Sequence, residues 1–97
     1  MNDKIRSRSV DELFDAILTL KTRDECYDLF EDLCTINEIL SMAQRIEVAR
    51  LLSEEMTYQD IAKETGASTA TVSRVNRALK YGNDGYQLVL KRMKQEK

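Results

Sequence analysis

The 97-residue sequence contains no histidine and no proline, and has only three glycines and two cysteines. Without histidine there is no imidazole base, no imidazole metal ligand and no Ser-His or Cys-His pair. The lack of proline and the few glycines leave little room for linkers and allow most of the chain to run as helix. Cys26 and Cys34 lie eight residues apart in what reads as one helix. That spacing is about 12 Å along a helix axis, too far for a disulfide between them. Two cysteines without histidine cannot form a four-ligand zinc site, so no metal and no cofactor are expected. The thiols read instead as small buried or half-buried hydrophobes. No apolar run approaches the roughly 20 residues of a membrane span, and there is no signal-peptide core. The reading is a cytoplasmic protein without a membrane partner.

Lys and Arg number 15 and Asp and Glu 17, a formal net charge of -2. Taken as totals these argue against a nucleic-acid binder, which is usually basic. Their distribution argues otherwise. Residues 1–65 hold 8 basic and 15 acidic side chains, net -7, whereas residues 66–97 hold 7 and 2, net +5. The acids between residues 11 and 32 stand beside Lys21 and Arg23 on amphipathic stretches, where solvated helix faces account for them. Glycine-rich phosphate loops are absent, so no enzyme is expected.

Helix starts are marked repeatedly by a hydroxyl with an acid three residues later. Ser9-Val10-Asp11-Glu12 predicts a helix with Leu13, Phe14, Ile17 and Leu18 on its apolar face, and Thr22-Arg23-Asp24-Glu25 a second, using Cys26, Leu29, Phe30 and Leu33. Thr35-Ile36-Asn37-Glu38 predicts a third, running to about Glu55. Thr57-Tyr58-Gln59-Asp60 opens a short fourth that Gly66 closes as a left-handed cap. Ser68 caps a fifth, ended near Lys80 by Gly82, and Asn83 or Asp84 starts a sixth. No segment alternates as a strand would. The fold class is all-α, five to six helices in one domain over residues 1–97. Within it the reading assigns 1–8 as a flexible arm, 9–56 as scaffold and dimerisation helices, 57–80 as a helix-turn-helix and 83–97 as a C-terminal helix. Tyr27 widens the second apolar stripe, and Val48 and Leu51 the third, beyond what one small core uses. These faces are therefore expected to meet a second copy of the chain.

Residues 57–79 read TYQDIAKETGASTATVSRVNRAL, a helix, a glycine turn and a helix. Ile61 faces the core, Ala62 is small where the helices cross, and Gly66 supplies a positive φ. Val72, Val75 and Leu79 pack the second helix on the first. The face left over carries Ser68, Thr69, Ala70, Thr71, Ser73, Arg74, Asn76 and Arg77, and no acid. The start of such a helix meets base edges in the major groove, where hydroxyls and amides bond, a methyl touches thymine and arginine reads guanine. Thr57, Tyr58, Gln59 and Lys63 complete the candidate DNA-binding set. The terminal bases Lys91, Arg92, Lys94 and Lys97 read as a solvated helix face, and Lys4, Arg6 and Arg8 as a frayed terminus.

From Leu33 to Leu79 the sequence resembles the Trp-repressor superfamily, in particular its YerC/YecD (TrpR-related) subgroup. The runs AQRIEVARLL, EEM-T and GASTATVSR carry the likeness. The resemblance implies an intertwined homodimer whose two recognition helices enter successive major grooves of double-stranded DNA. In the tryptophan-responsive members two arginines flank the indole, a glycine follows one of them, and a serine helps hold the amino group. Arg74 matches the recognition-helix arginine, but the other three positions are Gln44, Val75 and Ala78. That leaves a degenerate effector pocket in which tryptophan is not expected to bind. The expected function is a DNA-binding transcriptional repressor of pseudo-palindromic operators, with weak non-specific affinity because the acidic region repels phosphate. The alternative is a helix-turn-helix adaptor that docks on proteins without recognising DNA.

Overall fold

The computed structural model describes residues 3–95, and among them every regular element is helical. A 3₁₀ turn at Asp3–Ile5 precedes α1 (Arg8–Leu18), α2 (Arg23–Leu33), α3 (Ile36–Ser53), α4 (Tyr58–Thr65), α5 (Thr69–Tyr81) and α6 (Gly85–Gln95). Of the expected arm and C-terminal helix, residues 1–2 and 96–97 lie outside the described range.

The capping hydroxyls act as their spacing implies. The Thr22 hydroxyl accepts from Glu25 N–H at 3.1 Å, and Ser68 accepts from Thr71 N–H at the same distance. At the start of α3 the exchange is reciprocal. Glu38 N–H donates to the Thr35 hydroxyl at 3.1 Å, and Thr35 N–H donates to the Glu38 carboxylate at 2.8 Å. Those bonds to the charged form hold the Glu38 carboxyl below its ordinary value, the Thr35 backbone contributing most.

The last helix, Gly85–Gln95, starts from Asp84 as expected, with Leu88 N–H donating to the Asp84 carbonyl at 3.0 Å. Two boundaries differ from the sequence expectation. Helix α1 is capped by Ser7, not Ser9: Val10 N–H donates to the Ser7 hydroxyl at 3.2 Å, and Arg8 then reaches Glu12 one turn on at 3.3 Å. Helix α3 stops at Ser53 instead of near Glu55. Glu55 turns left-handed at φ 65, Met56 N–H reaches back to the Leu51 carbonyl at 3.2 Å, and Glu55 N–H to Leu52 at 3.0 Å. This is a Schellman termination made without glycine, its apolar clasp supplied by Met56 against the core. Position 82, the cap of α5, has room only for glycine, since a Cβ there would strike the Ala78 carbonyl oxygen.

One domain over 1–97 is the sequence expectation, but the chain divides into two compact units, residues 1–39 and 40–97. The reason lies in where burial occurs. Helices α1 and α2 contain no buried residue, and Leu18, Tyr27 and Leu33 on them are exposed. The core belongs to the second unit: Val48, Ala49, Leu51, Ile61, Ala67, Val72 and Val75, with Leu52, Met56, Leu79, Tyr86 and Leu90 packed against it. Val48 and Leu51 are thus core residues and not surplus apolar surface. Cys34 is the extended residue that caps α2, half-buried, while Cys26 is exposed instead of buried, and both thiols are free. Among the described residues no helix is long and apolar enough to cross a membrane.

The lowered Glu38 value fixes the sign of a pH effect. A depressed folded-state pKa contributes stability above the unfolded value, and that contribution is lost as pH falls through the folded value. Glu38→Gln should therefore be less stable than wild type near neutrality and converge with it in acid. Urea denaturation at the two pH values checks this, and a difference independent of pH would remove the carboxylate's role.

Candidate nucleic-acid interface

Helix α4 has eight residues, below the roughly 12–15 at which an isolated helix holds in water, so packing must keep it. Ile61 supplies that packing. It is fully buried, as are Val48 on α3 and Val72 on α5, and the three are the largest fully buried side chains. Gly66 ends α4 at φ 75, its N–H donating to the Ala62 carbonyl at 2.9 Å. Thr65 stitches the turn from both sides: its hydroxyl donates to the Ile61 carbonyl at 2.7 Å and accepts from Ala67 N–H at 3.1 Å. Ala67 is buried, which brings Ser68 to the start of α5 with an extended backbone suited to its cap.

Burying Val72 and Val75 turns the other face of α5 to solvent. Ser68, Thr69, Ala70, Ser73, Arg74 and Arg77 are exposed there, and Thr71 and Asn76 are half-buried. The Ser68 hydroxyl is committed locally, accepting from Thr71 N–H and donating to the Thr71 hydroxyl at 3.0 Å. Thr69 and Ser73 make no such bond and leave their hydroxyls available to a partner. On the α4 side Thr57 caps its helix by accepting from Asp60 N–H at 3.2 Å, and Tyr58, Gln59 and Lys63 are exposed. Two acids, Asp60 and Glu64, share α4 with Lys63, but no carboxylate occurs between Glu64 and Asp84. Among the described residues Arg74, Arg77 and Lys80 enter no ion pair, so their charges are offered outward.

Of the four residues of the expected effector pocket, three share one cleft. A cleft of about 260 Å³ is lined by Arg45, Thr71, Arg74, Val75, Ala78 and Tyr86. Arg74, Val75 and Ala78 line it together, yet Val75 is 3% exposed and belongs to the core. Gln44 is not among the lining residues. Its side-chain amide donates instead to the Thr65 carbonyl at 3.3 Å, at the end of α4. Helix α3 contributes Arg45 to the cleft, and α6 contributes Tyr86. Sequence reasoning passed over both, because Arg45 lies next to the position compared and Tyr86 reads as one more apolar residue of α6. Tyr86 is in fact half-buried on the core.

Known proteins can be set beside this geometry. "Uncharacterized protein YerC" of Bacillus subtilis is 60% identical over 93 residues, 96% of this chain and 89% of its own length. The Trp operon repressor homolog of Chlamydia caviae is 33% identical over 75 residues, 76% of this chain and 74% of its own. The crystal structure of a TrpR-like protein from Eubacterium eligens superposes with a TM-score of 0.92 at 63% identity, covering 95% of each chain. The family model of the Trp repressor protein matches residues 8–94. The chain belongs to the Trp repressor family, whose members are DNA-binding regulators and not enzymes.

Proposed function

We propose that the chain is a sequence-specific transcriptional repressor that binds pseudo-palindromic double-stranded DNA as a homodimer and does so without tryptophan. The exposed face of α5 carries this reading. It is polar at its start, basic in its second half, free of acids and of internal ion pairs, and backed by buried valines. Thr69, Ala70 and Ser73 stand where an inserted recognition helix meets base edges, with Thr71 beside them, and Asn76, Arg74 and Arg77 follow. Ser68, Thr57, Tyr58, Gln59 and Lys63 flank that face and serve phosphate contacts.

Dimerisation is supported by what the single chain leaves uncovered. Phe14 is 51% exposed, Leu18 80%, Tyr27 60% and Ile36 75%. A row of this kind marks an interface, and self-association covers it in a closed two-fold arrangement. Two copies then present two α5 helices to half-sites about 34 Å apart. Light scattering on a size-exclusion column should give twice 11.2 kDa, and a monomer independent of concentration would remove both the dimer and the palindrome.

Tryptophan lacks its setting. The Gln44 amide is engaged with Thr65, Val75 fills the space beside Arg74 as part of the core, and Ala78 offers no hydroxyl. An ammonium group placed there would lose a partner, which is costly where water is excluded. Calorimetry should detect no stoichiometric tryptophan complex, and a micromolar one would overturn this part of the reading.

The DNA-binding part is tested by selecting duplexes from a random pool and titrating the winners with salt. Affinity should fall steeply with salt, each neutralised phosphate adding about -0.9 to the slope. Arg77→Glu should weaken every duplex and reduce that slope by about one per protomer. Replacing Thr69 or Ser73 should change which duplex is preferred. Wild-type affinity for all duplexes in all three variants would favour an adaptor that docks on protein.

A further inference from the structure

Of the side-chain hydrogen bonds of the described residues, the one from Gln44 spans the longest stretch of sequence, 21 residues. Gln44 lies one helical turn before Val48 and two before Leu51, so it continues on α3 the stripe that forms the core. It is therefore the polar end of an apolar seam, half-buried, with its amide aimed at the last residue of α4.

The acceptor is well chosen. At the end of α4 the Ala62 carbonyl is taken by Gly66 N–H and the Ile61 carbonyl by the Thr65 hydroxyl. Ala67 N–H is occupied by that same hydroxyl. The Thr65 carbonyl has no partner within the turn and would be one of the orphaned acceptors of a helix end. Gln44 satisfies it from another helix.

Apolar packing fixes how close α3, α4 and α5 lie but is non-directional, and a seam of Val and Ile side chains tolerates small rotations. A hydrogen bond is directional and selects one angle. We propose that Gln44 is a positioning residue. By holding the Thr65 carbonyl it sets the turn, and hence α5, in the DNA-binding arrangement with no small-molecule effector required. The inference rests on α5 being the recognition helix. Its mechanism is that the protein's own carbonyl occupies the donor on α3, so no ligand acceptor is needed to complete the link. Gln87 acts similarly at the far end of α5, its amide donating to the Leu79 carbonyl at 2.7 Å. Glutamine amides thus hold the end of α4, just before the turn into the recognition helix, and the last turn of that helix.

The test has an arm that does not involve DNA. In the full chain, amide hydrogen exchange at Gly66 and Ala67 is compared between wild type, Gln44→Met and Gln44→Lys. Methionine keeps the length and loses the donor, and lysine restores a donor of similar reach. Loss of one hydrogen bond should speed exchange at those two amides by about five- to tenfold in the methionine variant. Val48 and Leu51 should be unchanged, and the lysine variant should return towards wild type. Equal exchange in the two variants, or wild-type exchange in both, overturns the proposal. Should Gln44→Met not fold, Gln44→Glu, with the same shape and no donor at neutral pH, takes its place.

The second arm uses the duplex selected by wild-type protein dialysed free of small molecules. Gln44→Met should bind that duplex about five- to tenfold more weakly while its affinity for a scrambled duplex stays the same. Equal losses on both duplexes overturn a positioning role. So does a wild-type protein that binds only after a metabolite extract is added. A wild-type protein that selects no duplex refutes the DNA reading, while the exchange arm still decides whether Gln44 holds the turn.

Discussion

Burial of Ile61 against Val48 and Val72 is the contact on which the functional half of the molecule depends. An eight-residue helix has too few internal hydrogen bonds to persist by itself. Full burial of an isoleucine contributes roughly 1.5–3 kcal/mol, enough to decide whether so short a segment is ordered. Once Ile61 is held, Gly66 can reverse the chain, Ala67 drops into the core, and Ser68 arrives at the start of α5. Val72 and Val75 then close the same cluster from the other side. The polar face of α5 is a consequence of that cluster, because fixing which residues are buried fixes which are offered outward.

The electrostatics follow the same division along the chain. A net charge of -2 conceals -7 over residues 1–65 and +5 over residues 66–97. Arg74, Arg77 and Lys80 repeat at three-residue intervals along α5, with no carboxylate between Glu64 and Asp84 to pair with them. A surface of this kind attracts phosphate locally, while the acidic remainder lowers attraction to polyanions in general. On the homodimer proposed above, affinity would depend on presenting two basic faces at the right separation more than on bulk charge.

Much of this was legible in the residues because the devices are local. Thr22, Thr35, Thr57 and Ser68 cap the helices they announce, and Gly66 adopts the left-handed turn its position implies. The faces of α4 and α5 follow from their apolar spacing, with Ile61, Val72 and Val75 inside and Arg74 and Arg77 outside. What escaped the sequence has a common cause, which is distance along the chain or competition between equivalent residues. Ser9 has an acid three residues on and Ser7 does not, yet Ser7 is the cap, and the ion pair from Arg8 to Glu12 goes with it. The end of α3 carries no glycine, so a left-handed Glu55 gives no signal in its identity. Val48 and Leu51 could be assigned to the core or to an interface by periodicity alone. Gln44 meets Thr65 across 21 residues, and no local pattern specifies that contact.

The two units solve the problem of a small chain differently. In residues 40–97 three helices around α4 enclose a buried cluster, and one chain supplies every residue of it. In residues 1–39 the helices are well capped and amphipathic, yet α1 and α2 contain no buried residue and only half-bury Val10, Ile17, Leu29 and Phe30. Capping settles where such helices begin, but it is worth only about 1 kcal/mol at each end and cannot replace a core. Phe14, Leu18 and Tyr27 on them stay exposed. On the homodimer proposed above, association does more than join two finished domains: it supplies the core that the first unit lacks. The separation of duties follows, since the segment that binds DNA is built from contacts within one chain and the segment that pairs the chains is not. The spacing of the two recognition helices is then set by the unit that has no core of its own, and their internal geometry by the unit that has one.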